Sequence, residues 1–149
     1  MSKLYPLTLN LKNKKVLVVG AGRVALRIIQ ELIGTGAMIT IVAPKVMPEI
    51  AQLDDINIIE RPFEAMDTQE AHIVFAATDD PEVNEAVGQT VAQWQWFHDT
   101  SFPEACSFYP PEVVRVDDLV ISVSTESLDP VLAKHTKEKI AEFLRNLEE

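Results

Sequence analysis

Apolar residues along this chain change their spacing in a regular order. Val16 to Val19 form an unbroken apolar run closed by Gly20. A run of that kind suits a strand buried on both faces, as in a parallel sheet. Val24, Ala25, Ile28, Ile29, Leu32 and Ile33 then recur at helical spacing, and Gly34 and Gly36 stop the helix. "AMITIVAP", closed by Pro44, predicts a second strand, "INIIERPF" a third and "AHIVFAAT" a fourth. In "DDPEVNEAVGQTVAQW", Asp80 can cap a helix, Pro81 suits its first position and Glu82 complements its dipole. Val83, Ala86, Val87 and Val91 would form the buried stripe of that helix. "WQWFHDTS" predicts a fifth strand. Strands alternating with helices imply βαβ units, hence an α/β fold with a Rossmann-like, mostly parallel sheet.

The pattern changes after Pro103. Pro110 and Pro111 exclude a central strand. "EVVRVDDLVISVST" predicts two short antiparallel strands around Asp117 and Asp118, and Asp129-Pro130 opens a last helix. Its apolar stripe would be Leu132, Ala133, Ile140, Phe143, Leu144 and Leu147. The expected organisation is a Rossmann-like unit over residues 1–106 and a smaller element over residues 107–149. A lone hairpin and helix bury little surface. Packing against a second copy would solve that, so a homodimer is expected.

Charge narrows the partners. Thirteen Lys and Arg against 23 Asp and Glu give a net charge of −10. That argues against nucleic acid, whose binders neutralise phosphates, and against an anionic membrane surface. Cys106 is the single cysteine, so no internal disulfide can form and a reducing compartment fits. With no apolar signal core at the N-terminus and no membrane-length apolar run, the expectation is a cytoplasmic protein. The histidines at positions 72, 98 and 135 are scattered and form no metal-ligand pair, so no protein metal site is expected. Cys106 reads as a small buried residue rather than a nucleophile. Trp94 and Trp96 read as core or dimer packing.

Gly20-Ala21-Gly22-Arg23-Val24-Ala25 follows a predicted strand and opens a predicted helix. In that context the glycines have a mechanism. Gly20 permits the sharp turn, Gly22 lets a pyrophosphate approach the backbone, and Ala25 lets the helix pack closely on the strand. The first-turn N–H groups and the helix dipole favour the anion. The bland alternative is a tight turn without a ligand. The acid that usually takes the ribose hydroxyls is missing, because Val42, Ala43 and Pro44 end the second strand. NAD and NADP therefore both stay open; Arg23 or Lys45 could meet a 2′-phosphate or could simply be solvated. Thr78 ends the fourth strand, where ligands of open α/β sheets bind. The candidate coenzyme contacts are thus Gly20, Gly22, Arg23, Val24, Ala43, Pro44 and Thr78.

"YPLTLNLKNKKVLVVGAGRVALR", "TIVAP", "AATDDPEVNEAV", "SFYPPEVVRVDDLVISVST" and "DPVLAK", in that order, resemble the precorrin-2 dehydrogenase family, the dehydrogenase module of siroheme synthases. The resemblance implies oxidation of precorrin-2 to sirohydrochlorin with NAD as hydride acceptor, in siroheme biosynthesis. It implies a dimer formed through the region after the Rossmann unit. Some members also insert iron or cobalt, so ferrochelatase activity is a second implied possibility. On the same resemblance, the C-terminal helical domain of many members and the fused methyltransferase of larger siroheme synthases are expected to be absent.

Two departures bear on the chemistry. Relatives place an aspartate two residues before a proline at the end of the fifth strand, credited with a base role; here that position is Ser101, before Pro103. A serine hydroxyl cannot replace a carboxylate base. Asp99 lies two residues earlier, on the same face if the strand continues. Asp99 and Ser101 are the candidate catalytic residues, with a structural strand-end carboxylate as the alternative for Asp99. A family serine-glycine-glycine stretch reads Ser124-Thr125-Glu126-Ser127 here. Glu126 would repolarise a cleft for a polycarboxylate, leaving any cationic patch to Arg115, Lys134, His135 and Lys137. These departures keep a second class of function open: a non-catalytic dinucleotide-binding sensor or partner module. A tetrapyrrole carrier is a third.

Overall fold

The computed structural model describes residues 2–147. Met1 and residues 148–149, the ends of the two expected segments, lie outside the described residues. The chain divides into two compact units. One spans residues 9–108; the other joins the N-terminal segment through Thr8 to the residues from Tyr109 onward.

The larger unit runs β1 (Lys15–Val19), α1 (Arg23–Leu32), β2 (Met38–Val42), α2 (Pro48–Ala51), β3 (Ile56–Ile59), β4 (Ile73–Ala76), α3 (Pro81–Gly88) and β5 (Trp96–Asp99). The sheet order is β3-β2-β1-β4-β5, and every pairing is parallel. This is the Rossmann-like α/β arrangement expected from the alternation of strands and helices. β1 is buried on both faces because its side chains feed two cores. Val16 and Val18 join Ala25 and Ile29 of α1 on one side, while Leu17 and Val19 join Val87 of α3 on the other. Each fully buried aliphatic side chain contributes about 1.5–3 kcal/mol, so β1 is the centre of the hydrophobic term.

Register sets the site. Ile59, Val42, Val19, Ala76 and Asp99 form one row across the sheet at the carboxyl ends of the five strands. Chain connections leave β1 towards β2 on one side and reach β4 on the other. Ligands of open α/β sheets bind outside such a reversal point.

α3 departs from the expected stripe. It ends at Gly88, and Val91 lies beyond it. Ala86 is exposed, and the buried positions are Asn84 and Val87. At that last helical residue a Cβ on Gly88 would stand 2.9 Å from the Phe97 ring of β5, so a larger residue there would force a shift. Trp94 and Trp96 are 60% and 46% exposed, so neither belongs to a core of the single chain. Trp94 instead meets the His72 ring edge-on.

In the smaller unit, β6 (Glu112–Val116) and β7 (Leu119–Val123) pair antiparallel. Asp117 takes a positive φ of 49° in their two-residue turn, a conformation aspartate tolerates. α4 (Pro130–Leu147) begins as expected, with Asp129 Oδ1 accepting from the N–H groups of Val131 and Leu132. Its stripe is less covered than expected: Ala133 is its buried residue, while Leu132, Phe143 and Leu147 are exposed. The physical reason is that a two-stranded hairpin is too small to cover an 18-residue helix. Among the described residues no helix is long and apolar enough to cross a membrane.

Candidate functional site at the carboxyl edge of the sheet

Gly20 leaves β1 with φ +119°, a conformation that L side chains rarely adopt. A Cβ there would stand 2.5 Å from the carbonyl oxygen of Ala77. Glycine is therefore required by the approach of the β4 loop as well as by the turn itself. The Gly20 N–H donates to Val42 O at 2.9 Å, and the Ala77 N–H donates to Val19 O at 2.8 Å. The corner is thus tied to both neighbouring strands.

Gly22 differs. It precedes α1 in extended conformation, and a Cβ there would meet nothing within 4 Å. α1 has no side-chain cap and no acid in its first turn. The other two helices of eight or more residues are capped by aspartate, α3 through Asp80 and α4 through Asp129. Among the described residues α1 alone of these helices offers its first N–H groups and dipole to open space. That is the physical requirement for a dinucleotide pyrophosphate, and the corner fits one.

Around this corner, Arg23 is exposed, Val24 is 47% exposed and Ala25 is fully buried against the sheet. Ala43 is buried, Pro44 is exposed, and the Met47 N–H donates to Ala21 O at 3.0 Å. No carboxylate stands at the end of β2.

Thr78 is engaged within the protein. Its hydroxyl lies 2.6 Å from Asn84 Oδ1 and 3.0 Å from Asp80 O, and it accepts from the Asp80 N–H at 3.2 Å. Asn84, fully buried, is the residue that the apolar pattern did not single out. Its Oδ1 also accepts from the Thr78 N–H at 3.1 Å, and its Nδ2 donates to Thr78 O at 3.2 Å and to Ser101 Oγ at 3.1 Å. A polar residue three positions before Val87, on the same helical face, was the available signal.

Ser101 then reaches Asp99. The Ser101 N–H and hydroxyl donate to Asp99 Oδ1 at 2.8 and 2.7 Å. Asp99 is 3% exposed. Its backbone is clasped by Cys106: Asp99 N–H donates to Sγ at 3.2 Å, and Sγ lies 3.3 Å from Asp99 O. Burial pushes the Cys106 thiol above its ordinary range, which disfavours the thiolate a nucleophile needs. Asp99 and Ser101 line a cleft of about 930 Å³ together with Gly88, Gln89, Phe97 and Phe102. His98 faces the opposite side, 6.1 Å and 5.6 Å from the rings of Phe75 and Phe108. Desolvation lowers its pKa despite the bond to Phe108 O and the charge of Asp99. In the smaller unit, Glu126 Oε2 accepts from the Leu4 N–H at 3.0 Å, which gives that carboxylate a partner of its own.

Residues 7–112 match the family described as "Putative NAD(P)-binding". Over 138 residues the chain is 37% identical to a precorrin-2 dehydrogenase of Bacillus subtilis (strain 168), covering 91% of this chain and 83% of that protein. The chain belongs to the precorrin-2 dehydrogenase family. A siroheme synthase of Baumannia cicadellinicola subsp. Homalodisca coagulata is 38% identical over 143 residues, 93% of this chain but 31% of that longer protein. The solved structure of "SirC, precorrin-2 dehydrogenase" superposes with a TM-score of 0.84 at 29% identity, covering 93% of this chain and 70% of that one. The precorrin-2 dehydrogenase resemblance read from the sequence motifs, the Rossmann-like fold and the NAD-type coenzyme are thereby borne out.

Proposed function

We propose that this chain oxidises precorrin-2 to sirohydrochlorin with NAD as hydride acceptor. The observation that carries the reading is the register row: the open glycine corner after Val19 and the carboxylate of Asp99 lie on one sheet edge, two strands apart. The oxidation removes two electrons and two protons from the macrocycle, one proton leaving with the electron pair as hydride. Bound NAD supplies the hydride acceptor. The chain's own residues do the rest. Gly20, Gly22 and the first turn of α1, with Arg23 and Val24 exposed beside it, hold the diphosphate. Ala43 and Pro44 flank the corner, and Thr78 shapes the β4 loop rather than offering its hydroxyl.

Asp99 takes the second proton. Buried beside the cleft and aligned by Ser101, its carboxylate can act as a general base. The apolar cleft wall of Phe97 and Phe102 suits a flat macrocycle.

Assembly follows the exposed apolar side chains of the smaller unit. Leu119, Val120, Val131, Leu132, Phe143 and Leu147 are each at least half exposed. We propose that a second copy covers them, making a homodimer, and that the protein works in the cytoplasm, where its lone thiol stays reduced.

An anaerobic assay with precorrin-2 and NAD tests the function. Steady formation of NADH supports it. Tight NAD binding without NADH formation would favour the non-catalytic dinucleotide module instead.

A further inference from the structure

We infer that Asn84 is a positioning residue that acts through the Ser101 hydroxyl to fix the carboxylate of Asp99 at the cleft. The inference rests on the proposed dehydrogenase function and names how its base is held.

The amide orientation follows from the partners. A backbone N–H can only donate, so the Asn84 atom 3.1 Å from Thr78 N is Oδ1. Nδ2 is then the atom 3.1 Å from Ser101 Oγ. An amide nitrogen can only donate, so Ser101 Oγ accepts there. Its single proton is left for Asp99 Oδ1, 2.7 Å away. Direction therefore passes one way, from Asn84 through Ser101 to Asp99. With the Ser101 N–H also on Oδ1 at 2.8 Å, no hydrogen bond among the described residues reaches Oδ2.

Asn84 makes four hydrogen bonds, which satisfies both its lone-pair sites and both its protons. Three go to Thr78 and one to Ser101. A single side chain on α3 thus joins the loop after β4 to the end of β5. A fully buried polar side chain between two loops is costly unless every group is paired, and here every group is.

Two substitutions separate this role from simple packing. Asn84→Asp keeps the acceptor for Thr78 but removes the donors to Ser101 Oγ and Thr78 O, and it draws the Ser101 proton away from Asp99. Ser101→Ala removes the intermediate hydroxyl at an exposed position. Each should lower kcat for precorrin-2 about tenfold to a hundredfold. KM for precorrin-2 and the calorimetric Kd for NAD should hold within about threefold, the scatter expected without a lost contact. The double variant should fall no further than the slower single one, because both break one chain. If Asn84→Asp does not fold, Ser101→Thr serves instead, and its hydroxyl should recover most of the turnover that Ser101→Ala loses. Wild-type turnover in Ser101→Ala, no recovery in Ser101→Thr, or losses that multiply in the double variant would overturn the inference while leaving the dehydrogenase reading standing. An inactive wild type would overturn both.

Discussion

The centre and one end of the carboxyl edge work by different means. At the glycine corner the groups that matter are backbone: N–H donors at α1, an absent Cβ at Gly22 and a positive φ at Gly20. At β5 they are side chains, an aspartate aligned by a serine that is aligned in turn by an asparagine. A backbone site depends on open shape and on a helix dipole left free of acids. A side-chain relay depends instead on its donors and acceptors, and it fails under isosteric changes that remove them.

The largest expected effect tests the relay end. Asp99→Asn alters the volume little, and Asn Oδ1 can still accept from Ser101. If the carboxylate is the base, kcat should drop about a hundredfold to ten-thousandfold while NAD affinity is kept. A variant that turns over normally would reduce Asp99 to a structural strand end and erase the contrast.

Gly20→Ala tests the corner. A Cβ held 2.5 Å from Ala77 O, at a φ that alanine rarely adopts, should destabilise the fold by about 2–3 kcal/mol. Urea denaturation reads this directly. Gly22→Ala sharpens the point. Its Cβ meets no protein atom, so stability should change by ~1 kcal/mol or less, yet NAD affinity should fall about tenfold, as expected when a first-turn anion contact is obstructed. Equal losses of stability in both variants would mean that Gly22 is only a turn.

The smallest effect concerns the other face of β5. Desolvation holds the pKa of His98 below its ordinary 6.5. The unfolded chain then binds a proton that the native protein resists, so stability should be level above pH 6.5 and fall as the pH drops below it. His98→Phe should flatten that slope in denaturation curves taken across the window. Since His98 faces away from Asp99, the substitution should leave NAD binding alone.

The same contrast explains what the sequence made legible. β1, α1 and the glycine corner depend on local spacing, and their type and order could be read directly. The β6–β7 turn at Asp117-Asp118 and the Asp129 cap were equally local. Asn84 was hidden because its partners, Thr78 and Ser101, lie six and 17 residues away, and apolar periodicity credits Val83 and Ala86 before an asparagine. α3 ends at Gly88, short of Val91, because apolar spacing marks a helix but does not mark where its hydrogen bonding stops. In α4 the periodic stripe was real, but Phe143 and Leu147 stay exposed in one chain; periodicity says that a face is apolar, not what covers it. Glu126 bonds to Leu4, 122 residues away, a pairing out of reach of any local rule.

On the proposed function, oxidation of precorrin-2 at this edge is coupled to reduction of NAD. Coupling is read by a single-turnover measurement under anaerobic conditions, with enzyme in excess over precorrin-2 and saturating NAD. One NADH is expected for each sirohydrochlorin formed, at a rate that falls in Asp99→Asn. Folded, NAD-bound protein that yields no NADH above the enzyme-free blank would contradict it.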